Sequence, residues 1–301
     1  MAKALVTGGA GFIGAHLVAR LVQRGLDVVV LDNMRRGSLE KLLPFIEQRR
    51  VQLIEEDVRR LDVVADVVRG CDTVYHLAAQ SNVMGAVDDA DYSITTNVLG
   101  TFNVLRSAAA ARVPRVVFAS SREVYGDPKR LPVDEAHPLL AKNAYGASKV
   151  AGEAYCRTFA SADALSIPIV RLSNVYGPGD TGRVIPLWLE AALEGRDLQV
   201  YGGEQIIDFL WVGTAVDALI LAAEKGLPGP VNIGSGAGTR ILDLGRRVLD
   251  VTGSKSEIVQ TAARDIEVAR FVADVRLMRS LGLEPDADPL LHLGEMVAAK
   301  G

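Results

Sequence analysis

Two cysteines in 301 residues, Cys71 and Cys156, are too few for a disulfide framework, and they show no metal-ligand spacing. That excludes a stapled secreted scaffold and a zinc module, and it fits a reducing, cytoplasmic setting. A large excess of either charge is missing as well. The formal net charge is −4 and no basic block occurs, so nucleic acid and anionic membranes are not expected partners. No apolar run reaches the roughly 20 residues that cross a bilayer. The N-terminus enters a strand-like segment with no basic-then-apolar leader before it. Repeats and low-complexity linkers are also missing.

What is present is a large apolar fraction, 49%, with 23% charged residues. That is enough for one big core, or for two domains that share an interface. Lys3 to Thr7 reads as a short buried strand, followed by Gly8-Gly9-Ala10-Gly11-Phe12-Ile13-Gly14. Apolar residues at Ile13, Leu17, Leu21 and Val22 then mark a helix, which Gly25 ends. Asp27 to Leu31 is a second strand. Strand, glycine loop, helix and strand together make a dinucleotide motif credible. The first glycine permits the tight turn, the middle one admits a pyrophosphate, and the last lets helix and strand pack. The helix N-terminus then offers free amides to the phosphates. Asp32 closes the second strand, placed to accept bonds from an adenosine ribose. That favours NAD, while Arg35 and Arg36 just after it keep NADP open.

The alternation continues. Val51 to Glu55 is a strand, with Asp57 and Val58 at its C-terminal end, where an adenine would lie. Asp72 to His76 is the next, followed by Leu77-Ala78-Ala79-Gln80, whose small residues suit either close approach to a cofactor or tight packing. A helix from about Ala90 to Ala111 carries Asn97, and Arg115 to Ala119 is the fifth strand. The pattern predicts an α/β fold, a Rossmann-type doubly wound parallel sheet with ligands at the strands' C-terminal ends. The fifth strand delivers Ser121 to that edge. Tyr145 and Lys149 sit four apart, hence on one face of a helix. A nearby ammonium favours the phenolate, so the expectation is that Lys149 pulls down the Tyr145 pKa and makes it a proton carrier for a sugar hydroxyl.

The motifs TGGAGFIG, Asp32, HLAAQ, SSREVYG, YGASK and RLSNVYGPGD, in this order, resemble the extended short-chain dehydrogenases/reductases, and within them the nucleotide-sugar epimerase, dehydratase and decarboxylase group. The resemblance covers essentially the whole chain. It implies NAD held by Gly8, Gly11, Phe12, Ile13 and Gly14, by Asp32 and Asn33, and by Asp57, Val58, Leu77, Ala78, Ala79 and Asn97. It implies Tyr145 as acid/base, Lys149 on the nicotinamide ribose, Ser121 completing the triad, and Glu123 as a further catalytic group. Gln80, Ser121, Arg122, Asn174, Arg183 and Arg264 are the expected substrate contacts, and no metal is expected. Two positions depart from the group. Arg122 stands where dehydratases usually have an aspartate acid, and it cannot usefully donate a proton. Ile207 stands where relatives often grip the diphosphate with arginine.

Residues 1–173 and 210–235 are expected to form the NAD-binding domain, with 174–209 and 236–301 as the sugar-nucleotide lobe. The activity expected is 4-epimerisation of a UDP-sugar. UDP-glucuronate is preferred to UDP-glucose because an arginine at 183 can pair with a carboxylate. UDP-glucuronate decarboxylation, NAD(P)-dependent reduction of a sugar, and a non-catalytic binding role are the alternatives. The resemblance also suggests a homodimer through helices near residues 97–111 and 146–160.

Overall fold

The computed structural model describes residues 2–81, 83–163, 165–227, 229–263 and 268–299. Its first strands are β1 (Lys3–Thr7), β2 (Asp27–Asp32), β3 (Val51–Glu55), β4 (Thr73–His76), β5 (Val116–Ser121) and β6 (Ile169–Leu172). After them come β7 (Asn174–Tyr176), β8 (Leu198–Tyr201), β9 (Ile206–Ile207), β10 (Phe209–Trp211), β11 (Pro230–Ile233), β12 (Thr239–Arg240) and β13 (Ile258–Thr261). Seven of these form one parallel sheet in the order β11-β6-β5-β4-β1-β2-β3. Strand order reverses between β1 and β4, which opens a crevice at their C-terminal ends.

The strands read as continuous apolar runs because both faces of the sheet are covered. Side chains alternate between those faces. Ala4, Val6, Val28 and Val30 join Leu17, Leu21, Val216 and Leu219 of helices Phe12–Gln23 and Val212–Lys225. Leu5, Val29, Leu31 and Val74 join Val104, Leu105 and Cys156 of helices Thr101–Ala110 and Ala144–Asp163.

A further core gathers the later chain. Tyr176, Ile185, Trp188, Leu198, Phe209, Leu244 and Leu293 pack together, from helices Val184–Leu193 and Ile241–Thr252 and the strands around them. Here β8 pairs with β13 and β9 with β12. Asp208 stitches this region to the sheet side. Its fully buried carboxylate accepts from Ser235 N at 2.7 Å, Ala273 N at 2.9 Å and Gly236 N at 3.1 Å.

Two local expectations change. The fifth strand runs on to Ser121, so both serines stand on the strand itself rather than on the loop after it. The single helix expected over 90–111 is three pieces, an α-helix Ala90–Ile94, a π-helical turn Thr95–Gly100 and an α-helix Thr101–Ala110. Such turns redirect side chains at functional sites. Here the turn aims Asn97 across the fold at Gln80 and Ser148.

Candidate active site

The crevice is a cleft of about 1120 Å³. Gly8 adopts φ +72°, and a Cβ there would lie 2.8 Å from Ala78 N. A Cβ on Gly14 would lie 2.1 Å from Gly8 O, so only glycine lets helix Phe12–Gln23 start this close to β1. Gly11 caps that helix and no side chain does, which leaves its first turn to a ligand. Asp32 Oδ2 accepts from Ala10 N at 3.0 Å and Oδ1 from Met34 N at 2.9 Å. Burial pushes the Asp32 carboxyl up, against the pull of these amides.

Most of the expected cofactor residues line this cleft: Gly8, Gly11, Phe12, Ile13, Gly14, Asp32, Asn33, Val58, Leu77, Ala78 and Ala79. Asp57 and Asn97 are not among its lining residues. Asp57 accepts from Asn33 Nδ2 at 2.8 Å and pairs with Arg59 at 2.9 Å. Asn97 spends its amide on the scaffold. Its Oδ1 accepts from Gln80 N at 2.7 Å, and its Nδ2 donates to Gln80 O at 3.1 Å and to Ser148 Oγ at 2.9 Å. It therefore positions the loop after β4 against the helix that carries Tyr145.

At the inner end of the cleft Tyr145, Ser121, Glu123 and Lys149 come together. The Ser121 side chain favours the ionised form of Tyr145, Ser121 Oγ accepts from Glu123 N at 3.2 Å, and Lys149 Nζ donates to Ala119 O at 2.8 Å. The expected depression of the Tyr145 pKa is overturned. Burial pushes the phenol up to about 12, although the Ser121 side chain and the guanidinium of Arg183 pull the other way. Burial likewise pushes Lys149 down to about 8. Its Nζ lies 5.9 Å from the Tyr145 ring centre. For each group the loss of water outweighs what its charged and polar neighbours return.

Glu123 is not a free acid/base. Arg122 Nη2 contacts its Oε1 at 2.8 Å and Asn143 Nδ2 donates to its Oε2 at 2.7 Å. The Arg122 guanidinium also lies over the Phe271 ring, 5.6 Å from its centre. Asn143 and Glu153, which do not line the cleft, are supporting residues that the motif reading missed. Asn143 Oδ1 accepts from Gly146 N at 2.8 Å, and its own carbonyl accepts from Ala147 N. An asparagine just before a helical run is the signal for such a cap. Glu153 continues the four-residue spacing of Tyr145 and Lys149 and is fully buried. It accepts from Arg171 Nε at 2.8 Å and Nη2 at 2.6 Å.

The expected substrate residues Gln80, Arg122, Asn174 and Arg183 line the cleft, and so does Ile207. Arg264 lies outside the described residues. Arg183 stands 3.4 Å from Asp180 and donates to Val175 O at 3.2 Å. Burial pushes Asp180 up to about 6. Residues 177–183 form a strap across the cleft to the glycine-loop side. Lys41 Nζ donates to Gly179 O at 3.0 Å, and His16 Nε2 meets Pro178 O at 2.8 Å.

Fold and site together define a Rossmann-type protein whose cleft brings Ser121, Tyr145 and Lys149 together beside the glycine loop. A model of the NAD dependent epimerase/dehydratase family matches residues 4–234, and the chain belongs to that family. It is 35% identical over 291 residues to a putative UDP-glucose 4-epimerase of Methanocaldococcus jannaschii, covering 94% of this chain and 93% of that protein. It is 31% identical over 294 residues to UDP-glucuronic acid decarboxylase 1 of Xenopus tropicalis, covering 94% of this chain and 68% of that one. Among solved structures, UDP-N-acetylglucosamine 4-epimerase of Methanobrevibacter ruminantium, in complex with UDP-N-acetylmuramic acid, superposes with a TM-score of 0.94 at 29% identity. That match covers 99% of this chain and 98% of the other.

The residues present fit the family's cofactor. The helix start without a side-chain cap, the glycine contacts and the acceptor at Asp32 suit a pyrophosphate and an adenosine ribose.

Proposed function

We propose that the protein is an NAD-dependent UDP-sugar 4-epimerase. The Ser121–Tyr145 hydroxyl pair with Lys149 one turn on, at the inner end of a dinucleotide cleft, carries this reading. When bound, NAD would supply the oxidation and re-reduction of C4. Tyr145 takes the proton of the C4 hydroxyl and later returns it. Ser121 holds the same oxygen and passes the hydrogen bond to Tyr145. Lys149 is fixed by Ala119 O, so its charge stays near the phenol.

The substrate we infer is UDP-glucuronate, interconverted with UDP-galacturonate. Arg183 lines the cleft and is among the charges felt at Tyr145. Its partner Asp180 stands 3.4 Å away, a loose pairing, so a substrate carboxylate can compete for the guanidinium. The engagement of both Glu123 oxygens weighs against chemistry that needs Glu123 as a mobile acid. The test is incubation with UDP-glucuronate and, separately, UDP-glucose, with products followed by NMR. UDP-galacturonate is the expected product. Carbon dioxide with UDP-xylose would replace epimerisation by decarboxylation. Turnover of UDP-glucose alone, unchanged in Arg183→Ala, would remove the uronate.

A homodimer through the helices after residue 90 and the helix Ala144–Asp163 accompanies this reading. Ile94, Leu99 and Tyr155 are exposed there at 58%, 46% and 38%, and Phe102 packs edge-on against Tyr155. Light scattering at the mass of one chain would exclude it.

A further inference from the structure

We propose that Asp89 and Tyr92 set the cofactor preference by sequestering Arg35, the guanidinium that would otherwise be offered to a ribose 2′-phosphate. The inference rests on the dinucleotide reading of the glycine-loop cleft. Strand β2 ends at Asp32, and the chain then turns through Met34, which takes φ +56°. Arg35 follows immediately and lines the cleft with Asp32 and Asn33. A short β2 ending of this kind presents one anion and one cation to the same region. The anion accepts from a ribose 2′-hydroxyl and repels a phosphate. A free guanidinium does the opposite, because it makes paired, charge-assisted bonds to phosphate oxygens.

Here the guanidinium is occupied. Arg35 Nη2 donates to Asp89 Oδ2 at 3.0 Å, and its Cζ lies 3.8 Å from the centre of the Tyr92 ring. Tyr92 is itself fixed. Its hydroxyl accepts from Asn33 Nδ2 at 2.9 Å, and its ring also carries the Arg59 guanidinium at 4.9 Å. Arg59 is in turn held by both oxygens of Asp57. Asn33 Oδ1 accepts from Arg35 N at 3.2 Å, which closes the cluster. Asp89 and Tyr92 belong to helix Ala90–Ile94 and its N-cap, far from β2 in sequence. Arg36 is engaged elsewhere, 3.5 Å from Ser81 Oγ and from Thr181 O. The chain thus keeps the acceptor for NAD open and holds back the cation that NADP requires.

The test is direct titration of NADH and NADPH fluorescence, with no turnover involved. Four forms are compared: wild type, Asp32→Ser, Asp32→Ser/Asp89→Asn, and that double variant with Arg35→Ala. Asparagine caps a helix as well as aspartate does, so Asp89→Asn releases Arg35 without undoing helix Ala90–Ile94. Asp32→Ser removes the repulsion that would mask the effect. Adding Asp89→Asn should tighten NADPH binding by about tenfold over Asp32→Ser alone, the scale of one charge-assisted bond. NADH affinity should change by less than about twofold, because no acceptor for it is altered. Arg35→Ala should cancel the gain. Tyr92→Leu in the Asp32→Ser background should act in the same direction as Asp89→Asn. Unchanged NADPH affinity in both the Asp89 and the Tyr92 variants would overturn the proposal. So would a gain that survives Arg35→Ala or that requires Arg36. A wild-type protein that binds neither dinucleotide would overturn the reading of the cleft itself, a distinct failure.

Discussion

Ser120 Oγ donates to Glu153 Oε1 at 2.7 Å, and this bond ties the helix bearing Tyr145 and Lys149 to the strand that ends in Ser121. Glu153 also answers the buried Arg171, whose Nη1 donates to Tyr125 Oη at 2.8 Å. Removing one partner of a buried ion pair typically costs roughly 3–5 kcal/mol, because the other charge is stranded. Glu153→Gln should lose stability on that scale in chemical denaturation, while Glu153→Gln/Arg171→Met should recover part of it. A single variant as stable as wild type would show that Arg171 finds its counter-charge elsewhere.

Tyr145→Phe should lower turnover by about 10²–10⁴-fold, the usual contribution of a positioned acid/base. Dinucleotide binding should persist, since the glycine loop and Asp32 are untouched. Stopped assays with titrated NADH fluorescence separate the two. A phenylalanine variant with near wild-type turnover would exclude Tyr145 from proton transfer.

His76 gives a pH signature. It is fully buried between Thr7 Oγ1 at 2.7 Å and Thr101 Oγ1 at 2.9 Å, and burial pushes its pKa from 6.5 down to about 3. The unfolded chain therefore binds a proton below pH 6.5 that the folded chain refuses. This contribution to stability is complete above pH 6.5 and is lost as pH falls from there towards 3. At pH 5 the loss from this group is about 2 kcal/mol. Imidazole NMR at pH 5 should show His76 uncharged. Titration near 6.5 would contradict the buried neutral ring.

The strap over residues 177–183 should govern how fast a dinucleotide leaves. Lys41→Met removes the bond to Gly179 O, and it should speed displacement of bound NADH in a stopped-flow chase. Gly179→Ala should do likewise, because φ is +81° there and a Cβ would lie 2.8 Å from Lys41 Nζ. Equal off-rates in all three proteins would mean that the strap does not gate the cleft.

The sequence by itself determined the parallel strands, their order along the chain and the helix after the glycine loop, but not the π-helical turn at Thr95–Gly100. Buried parallel strands are continuous apolar runs, the glycine loop permits only one close approach of helix to strand, and four-residue spacing puts Tyr145 and Lys149 on one helical face. These are local rules, and the residues that obey them are neighbours in the chain. Tertiary structure decided what each polar group does, because its partners are remote. Arg35 meets Asp89 54 positions away, Asn97 meets Ser148 51 away, and Ser120 meets Glu153 33 away. No spacing rule reaches across such distances. Burial is equally collective. Tyr145 stands near 12 and Lys149 near 8 because the whole fold closes over them. The desolvation behind both shifts exists only once the sheet and the helices are packed together.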